Sequence, residues 1–341
     1  MLKIDTNFFE YIDNFKKNSA IHSTLIKGEL SLDLPLITLI IPTFRCEPSI
    51  LKEAIDSVLN QFEFDNYELL IIDNDPDVNC STRHLLESYD DNRIIYYKNN
   101  ENIGMFGNWN RAIELSRSEW IGLIHDDDVT SPYFLKSCLP FLTDKSIGII
   151  KPENFVFSDS KQLHFEKPKD LKFIELSLSD FIRGCAVGAP TNIIFNRKVL
   201  LELGGFNQDY FPASDYAFAA KCVKSYKVYK IPFVLGGYRV GQNESLNPKT
   251  MKLFYFKRFF ISSFIMRLHH FPDFIISLVQ TAFMPIIISE TNNFYNVNIP
   301  FDYCTELKLN AMSEIKRRMI IKLYYVFMKL SLFRKKLTNL F

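Results

Sequence analysis

Three short apolar runs, each breaking off into polar residues, constrain this chain more than any other feature. Residues 36–41 close on Pro42, residues 69–72 on Asp73-Asn74-Asp75, and residues 120–124 on His125-Asp126-Asp127-Asp128. A strand that is apolar on both faces belongs inside a parallel sheet covered on both sides. Between the first two runs, residues 48–62 put Leu51, Ile55, Val58, Leu59 and Phe62 on one helical face, with Pro48 suited to a first turn. The step from Pro42 to Asp73 is the length of one βαβ unit. Residues 81–89, 108–116 and 131–142 read as further helices and 93–98 as a strand. This alternation predicts an α/β fold: an open, mostly parallel sheet flanked by helices. Past residue 150 the pattern thins, with strands at 147–150, 155–157 and 228–232, an edge pairing at 235–238, and helical turns at 180–184, 199–203 and 216–225.

The 341 residues suggest about two domains. Hydrophobic residues at 47% and charged residues at 23% exclude disorder, and the lack of any repeat excludes solenoids. The reading is a helical lead-in at 1–34, the sheet domain at 35–245 and a C-terminal helical extension at 246–341. A net charge of +1 argues against nucleic acid as a partner. It also hides an asymmetry: residues 313–341 hold eight Lys/Arg and one acid, so this tail carries +7 and the rest −6. Met319, Ile320, Leu323, Tyr324, Phe327, Leu330 and Phe333 form an apolar stripe between those cations. That pattern suits a helix lying in a membrane surface, and equally one docked on the body or on a second copy in a homo-oligomer. Six scattered cysteines without a C-x-x-C pair point to thiols in a reducing compartment. Residues 1–5 carry no export pattern, and the apolar stretch 274–289 is interrupted by Gln280 and Pro285. The expected location is cytoplasmic, peripheral on the inner face of the plasma membrane.

In an open α/β sheet, ligands bind outside the carboxyl ends of the strands. If the runs are parallel, Asp73, Asp75, Asp126, Asp127 and Asp128 share one edge. Crowded carboxylates repel and raise each other's pKa, so such a cluster calls for a cation. Oxygen ligands favour Mg²⁺ or Mn²⁺, which bridge carboxylates to phosphates. Asp-rich turns also serve as plain loop chemistry and helix caps, but three carboxylates after a buried strand exceed what a cap requires. Neither G-x-G-x-x-G nor G-x-x-x-x-G-K-[ST] occurs, so a metal rather than a glycine loop is left to carry a diphosphate.

Four segments then combine: LITLIIPTFRCEPSILKEAIDSVLNQ, YELLIIDNDPD, NIGMFGNWNRAIELSRSEWIGLIHDDDV and GGFNQDYFPASDYAFAAKCV. In order and spacing, over roughly residues 36–245, they resemble the family-2 type of glycosyltransferases with the GT-A fold. The resemblance implies an inverting transfer of a hexosyl or N-acetylhexosaminyl group from a nucleotide-sugar donor to a hydroxyl acceptor, a glycan or lipid-linked sugar of bacterial surface polysaccharide. By position it sets Thr43 beside the base, Asp73 near base and ribose with Asp75 at the same strand end, and Asn102 and Asn110 at donor-side positions. Asp126 falls toward the ribose or sugar, Asp127 on the metal with Asp128 beside it, and Asp215 on the catalytic base. Several positions depart from the family pattern. Arg45 and Asn74 replace a usual Asn and Asp, and Trp109 an Arg. His125 stands for the first acid of the Asp motif, and Ser214 for a Glu. Val240-Gly241-Gln242 lies where many relatives place a metal-binding His.

Two other readings compete. A sugar-phosphate nucleotidyltransferase would use carboxylates and Mg²⁺ on a similar sheet but would carry a glycine-rich basic loop where Thr43-Phe44-Arg45-Cys46 stands. A non-catalytic nucleotide-sugar-binding scaffold is suggested by Ser214 and Gly241.

Overall fold

The computed structural model describes residues 9–241 and 246–338. The described residues form two compact units, residues 9–241 and residues 246–338.

The first unit is built on a ten-stranded sheet. Its strands are β1 (Ser23–Lys27), β2 (Ile37–Thr43), β3 (Tyr67–Asp73), β4 (Ile94–Asn99), β5 (Trp120–Leu123), β6 (Val129–Thr130), β7 (Ile147–Phe157), β8 (Ile174–Glu175), β9 (Ile193–Asn196) and β10 (Lys227–Arg239). The order is β1-β4-β3-β2-β5-β9-β7-β10-β6, with β8 paired to β10. Strands β4, β3, β2 and β5 run parallel, as do β7 and β10. Strand β9 is antiparallel to both neighbours, which returns β7 to the direction of β5. Every residue of β2 and β3 is buried, as strands covered on both faces require.

Helix α1 (Pro48–Leu59) follows β2 and turns Leu51, Ala54, Ile55 and Val58 into the core. Pro48 opens it and the Glu47 carboxylate accepts the Ile50 N–H, satisfying one donor that a helix start leaves bare. Helices α2 (Ser81–Glu87) and α3 (Met105–Leu115) complete the expected alternation.

Several expectations change in detail. Residues 23–27, within the stretch expected as a helical lead-in, form the edge strand β1 against β4. The helix expected over 131–142 is a short α4 (Phe134–Cys138) followed by a 3-10 turn at Leu139–Phe141, because Pro140 cannot continue the α-helical bonding. The separate strands expected at 147–150 and 155–157 are one, running through Pro152 opposite a register shift in β10. Residues 178–183 are a 3-10 helix, and α5 (Arg197–Glu202) and α6 (Ser214–Cys222) close the unit.

The second unit is helical: α7 (Pro248–Leu268), α8 (Asp273–Tyr295), α9 (Tyr303–Glu306) and α10 (Glu314–Thr338). Gln280, inside the apolar α8, donates to Ser262 and Ser263 of α7, so its polarity is satisfied between helices. Helix α8 is long and apolar enough to cross a membrane by length and composition, with under half of its apolar window buried. Helix α10 packs Tyr324 on Phe283 of α8 at 5.2 Å between rings and leaves Ile315, Met319, Leu323 and Val326 exposed. Phe327, Leu330 and Phe333 of the expected stripe, and Gln242, lie outside the residues whose side chains are described.

Candidate functional site

Because β2, β3 and β5 are parallel, their polar ends meet at one edge of the sheet. The backbone of Ile124 extends the β5–β2 ladder by one bond, Ile124 N–H to Ile40 at 3.0 Å, and the chain then turns through residues 125–128. Four contacts fix that turn. The His125 N–H donates to Thr191 Oγ1 at 3.1 Å. Thr43, at the end of β2, donates to Asp126 Oδ2 at 2.7 Å. The Arg239 N–H, at the end of β10, donates to Asp128 Oδ1 at 2.7 Å, and its Nε donates to the Asp127 carbonyl at 2.7 Å. The Arg239 guanidinium itself is held by Glu53 of α1 and stacks over Phe157 at 4.6 Å.

The loop carries a dense negative field. Burial, then Asp128 and Asp126, push Asp127 up to about 7, against the charge of His125. Burial also raises Asp126, although Thr43 opposes it. His125 rises too: burial lowers it, but the Asp128 carboxylate and the charges of Asp127 and Asp126 outweigh burial. One ligand atom from each of His125, Asp127 and Asp128 falls within 4.8 Å of the others. Asp128 Oδ2 is buried, faces the His125 ring nitrogen at 3.3 Å and accepts no other hydrogen bond among the described residues. An imidazole and two carboxylates, one with an unspent buried oxygen, are a donor set that fits a divalent cation.

The second strand end is arranged differently. Asp73 is wholly buried: its Oδ2 accepts from Tyr96 at 3.0 Å, Cys80 at 3.1 Å and Lys98 at 3.3 Å, and its Oδ1 from the Asp75 N–H at 2.9 Å. Asp75 pairs with the exposed Arg45 at 3.1 Å. Burial alone would raise Asp75, but the Asp77 N–H and the Arg45 guanidinium hold it below the usual carboxylate range. Asn102 is exposed and accepts from Asn74 and from the Gly104 N–H, shaping the entry to α3. Asn110 is buried and exchanges two 2.8 Å bonds with the backbone of Phe206. Between these strand ends runs a buried amide network. Asn99 of β4 donates to Asn74 and to Asn108, and Asn108 donates to the Ile72 carbonyl of β3.

Asp215 sits in the first turn of α6. Burial pushes it up to about 6, while the N–H groups at the helix start and the charge of His125 act downward. Of the residues in the acidic loop, it is His125 whose charge reaches Asp215. Ser214, which stands where the family pattern has an acid, is buried. Trp109 packs against His125 at 5.4 Å and is core, as is Trp120.

Two residues the sequence reading passed over support the loop from behind. Arg239 ends β10 just before Val240-Gly241-Gln242, where the family pattern would place a metal-binding His. Lys151 is buried on β7 and donates to the carbonyls of Pro152 and Thr191, both at 2.9 Å. Burial pulls its ammonium down to about 7. A lysine directly after the apolar run 147–150 was the signal for it.

With this geometry in hand, comparison with known proteins is specific. Residues 38–204 match the family model described as glycosyl transferase family 2. An uncharacterised glycosyltransferase of Methanocaldococcus jannaschii is 25% identical over 219 residues, 63% of this chain and 74% of that one. The chondroitin synthase of Escherichia coli is 28% identical over 141 residues, 41% of this chain and 19% of that one. Among solved structures, S. aureus TarS residues 1–349 with UDP-GlcNAc superpose with a TM-score of 0.56 at 15% identity, over 83% of this chain and 79% of that one. The mannosyltransferase PcManGT of Pyrobaculum calidifontis, in complex with GDP-Man and Mn²⁺, gives a TM-score of 0.51 at 14% identity, over 88% and 81%. At these identities the structural likeness is one of fold.

Proposed function

This chain carries a glycosyltransferase domain of family 2 with the GT-A fold, and from that premise we propose that it moves a sugar from a nucleoside-diphosphate donor to a hydroxyl acceptor with inversion. The observation that supports this most is the meeting of the His125–Asp128 turn with the end of β2, beside the end of β3.

The step is a single displacement. The acceptor oxygen bonds to the anomeric carbon as the bond from that carbon to the diphosphate oxygen breaks on the opposite face. Asp215 takes the hydroxyl proton, assistance worth about 10²–10⁴-fold. Near pH 7 it is ionised, yet its raised pKa of about 6 keeps it more basic than an exposed carboxylate. Asp127 and Asp128 would hold the divalent cation, Mn²⁺ or Mg²⁺, which when bound offsets charge on the departing diphosphate as a Lewis acid. Thr43 keeps Asp126 turned to the ribose side. Asp75 and Arg45 frame the base. Asp73, Asn102 and Asn110 spend their bonds within the fold and shape the donor pocket around it.

A nucleotide sugar as donor is supported by the GDP-Man and UDP-GlcNAc complexes of the fold neighbours, and a polysaccharide context by the chondroitin synthase relative. A lipid-linked or glycan acceptor at the inner face of the plasma membrane fits the cations and exposed apolar residues of α10.

The test is a transfer assay over a panel of nucleotide sugars with and without Mn²⁺. Asp215→Asn is expected to abolish transfer while nucleotide-sugar binding, read by calorimetry, stays within about twofold. Wild-type turnover by this variant would remove Asp215 from its role. Turnover of the nucleotide sugar only when pyrophosphate is added, giving nucleoside triphosphate and sugar 1-phosphate, would favour the nucleotidyltransferase, and donor binding without turnover the scaffold.

A further inference from the structure

We infer that His125 supplies a nitrogen ligand to the metal centre beside Asp127 and Asp128, making it a mixed nitrogen–oxygen site that prefers a first-row transition ion to magnesium. The inference rests on the proposed metal-assisted transfer and adds a ligand to it.

Three observations carry it. The first is spacing. His125 Nδ1 stands 3.3 Å from Asp128 Oδ2. Two atoms each held about 2.1 Å from one ion, at right angles, are about 3 Å apart. The second is unspent bonding capacity. Asp128 is wholly buried, its Oδ1 is occupied by the Arg239 N–H, and its Oδ2 faces the His125 ring nitrogen at 3.3 Å and accepts no other hydrogen bond among the described residues. The third is fixation. The backbone of His125 is tied to Thr191 and its ring lies 5.4 Å from Trp109, so the imidazole is held toward the carboxylates before any ion arrives. An imidazole in place of a carboxylate oxygen favours transition ions, because magnesium binds oxygen almost exclusively.

The chemistry also accounts for a departure in the sequence. His125 stands where the family pattern has an acid, and Val240-Gly241-Gln242, where the pattern would place a histidine, has none; Arg239 just before it bonds to the backbone of Asp127 and the carboxylate of Asp128. One nitrogen donor is thus present, delivered from the loop.

The test uses the full chain with Mn²⁺ alone, read by electron paramagnetic resonance. Pulsed spectra of the bound ion are expected to show modulation from a directly bound ¹⁴N. His125→Asp, which restores a carboxylate, should remove that modulation and move the Mn²⁺-to-Mg²⁺ affinity ratio toward magnesium by about tenfold or more. Asp127→Asn should release the ion. If Mn²⁺ binds and needs Asp127, but wild-type spectra lack nitrogen modulation, His125 is not a ligand and the inference falls while the metal reading stands. If Mn²⁺ does not bind, or Asp127→Asn binds it like wild type, the metal reading itself fails and this inference with it. Should His125→Asp not fold by circular dichroism, the wild-type spectrum alone decides.

Discussion

Asp215 links chemistry to stability at the level of one side chain. Its folded pKa of about 6 lies above that of a free carboxylate, so the folded state holds its proton over a pH range where the unfolded chain has lost it. Stability from this group is therefore gained as pH falls from about 6 toward 4 and lost as pH rises through that window. Asp215→Asn removes an ionised buried group and should raise the free energy of unfolding at pH 7.5 by an amount of order 1–2 kcal/mol, read by urea denaturation. Activity moves the other way. The transfer rate should drop as pH falls through about 6, because the base is then protonated. A flat rate profile between pH 5 and 7 would remove the assignment. Arg239 makes a second residue-scale case, holding the loop with a backbone N–H and a guanidinium. Arg239→Met keeps the former and loses the latter, leaving Glu53 and the Asp127 carbonyl without that donor. The expected result is a loss of about 2–4 kcal/mol in urea denaturation and a weaker Mn²⁺ affinity, with Arg239→Lys recovering part of both.

Among the elements, β2, β3 and β5 announce themselves because each is an apolar run that can be read from neighbouring residues alone. The carboxylates at their ends were legible for the same local reason. Strands β1 and β6 were not. The first is half-exposed and mixed in polarity, the second two residues long, and both exist only through their partners β4 and β10. The contacts that fix the acidic loop escaped reading because Thr191, Lys151 and Arg239 reach it from far along the chain. The amide network is another product of convergence: single asparagines at three separate places become one buried array only after β3, β4 and α3 pack. Asn99→Ala would leave Asn108 Oδ1 without its donor and Asn74 Oδ1 with the Ile103 N–H alone, and should cost about 1–3 kcal/mol, measured by urea denaturation. It should also raise the KM for the donor, since the strand ends it ties border the proposed pocket.

For the molecule as a whole, charge is divided along the sequence, −6 over the first 312 residues and +7 over the last 29. With Ile315, Met319, Leu323 and Val326 exposed on α10, this predicts adsorption to vesicles containing anionic lipid. Binding should weaken between about 0.15 and 1 M salt as the screening length falls from about 8 to 3 Å. Absent or salt-insensitive binding in a sedimentation assay would point to a protein partner instead. The sheet imposes a different condition. Strand β10 is the neighbour of both β7 and β6, and Gly237 pairs with Val129 across more than a hundred residues. The last strand of the unit thus seals the turn that follows β5. A nascent chain has no finished acidic turn until ribosomal synthesis passes residue 239, and a fragment ending before that residue would lack the bonds that hold it.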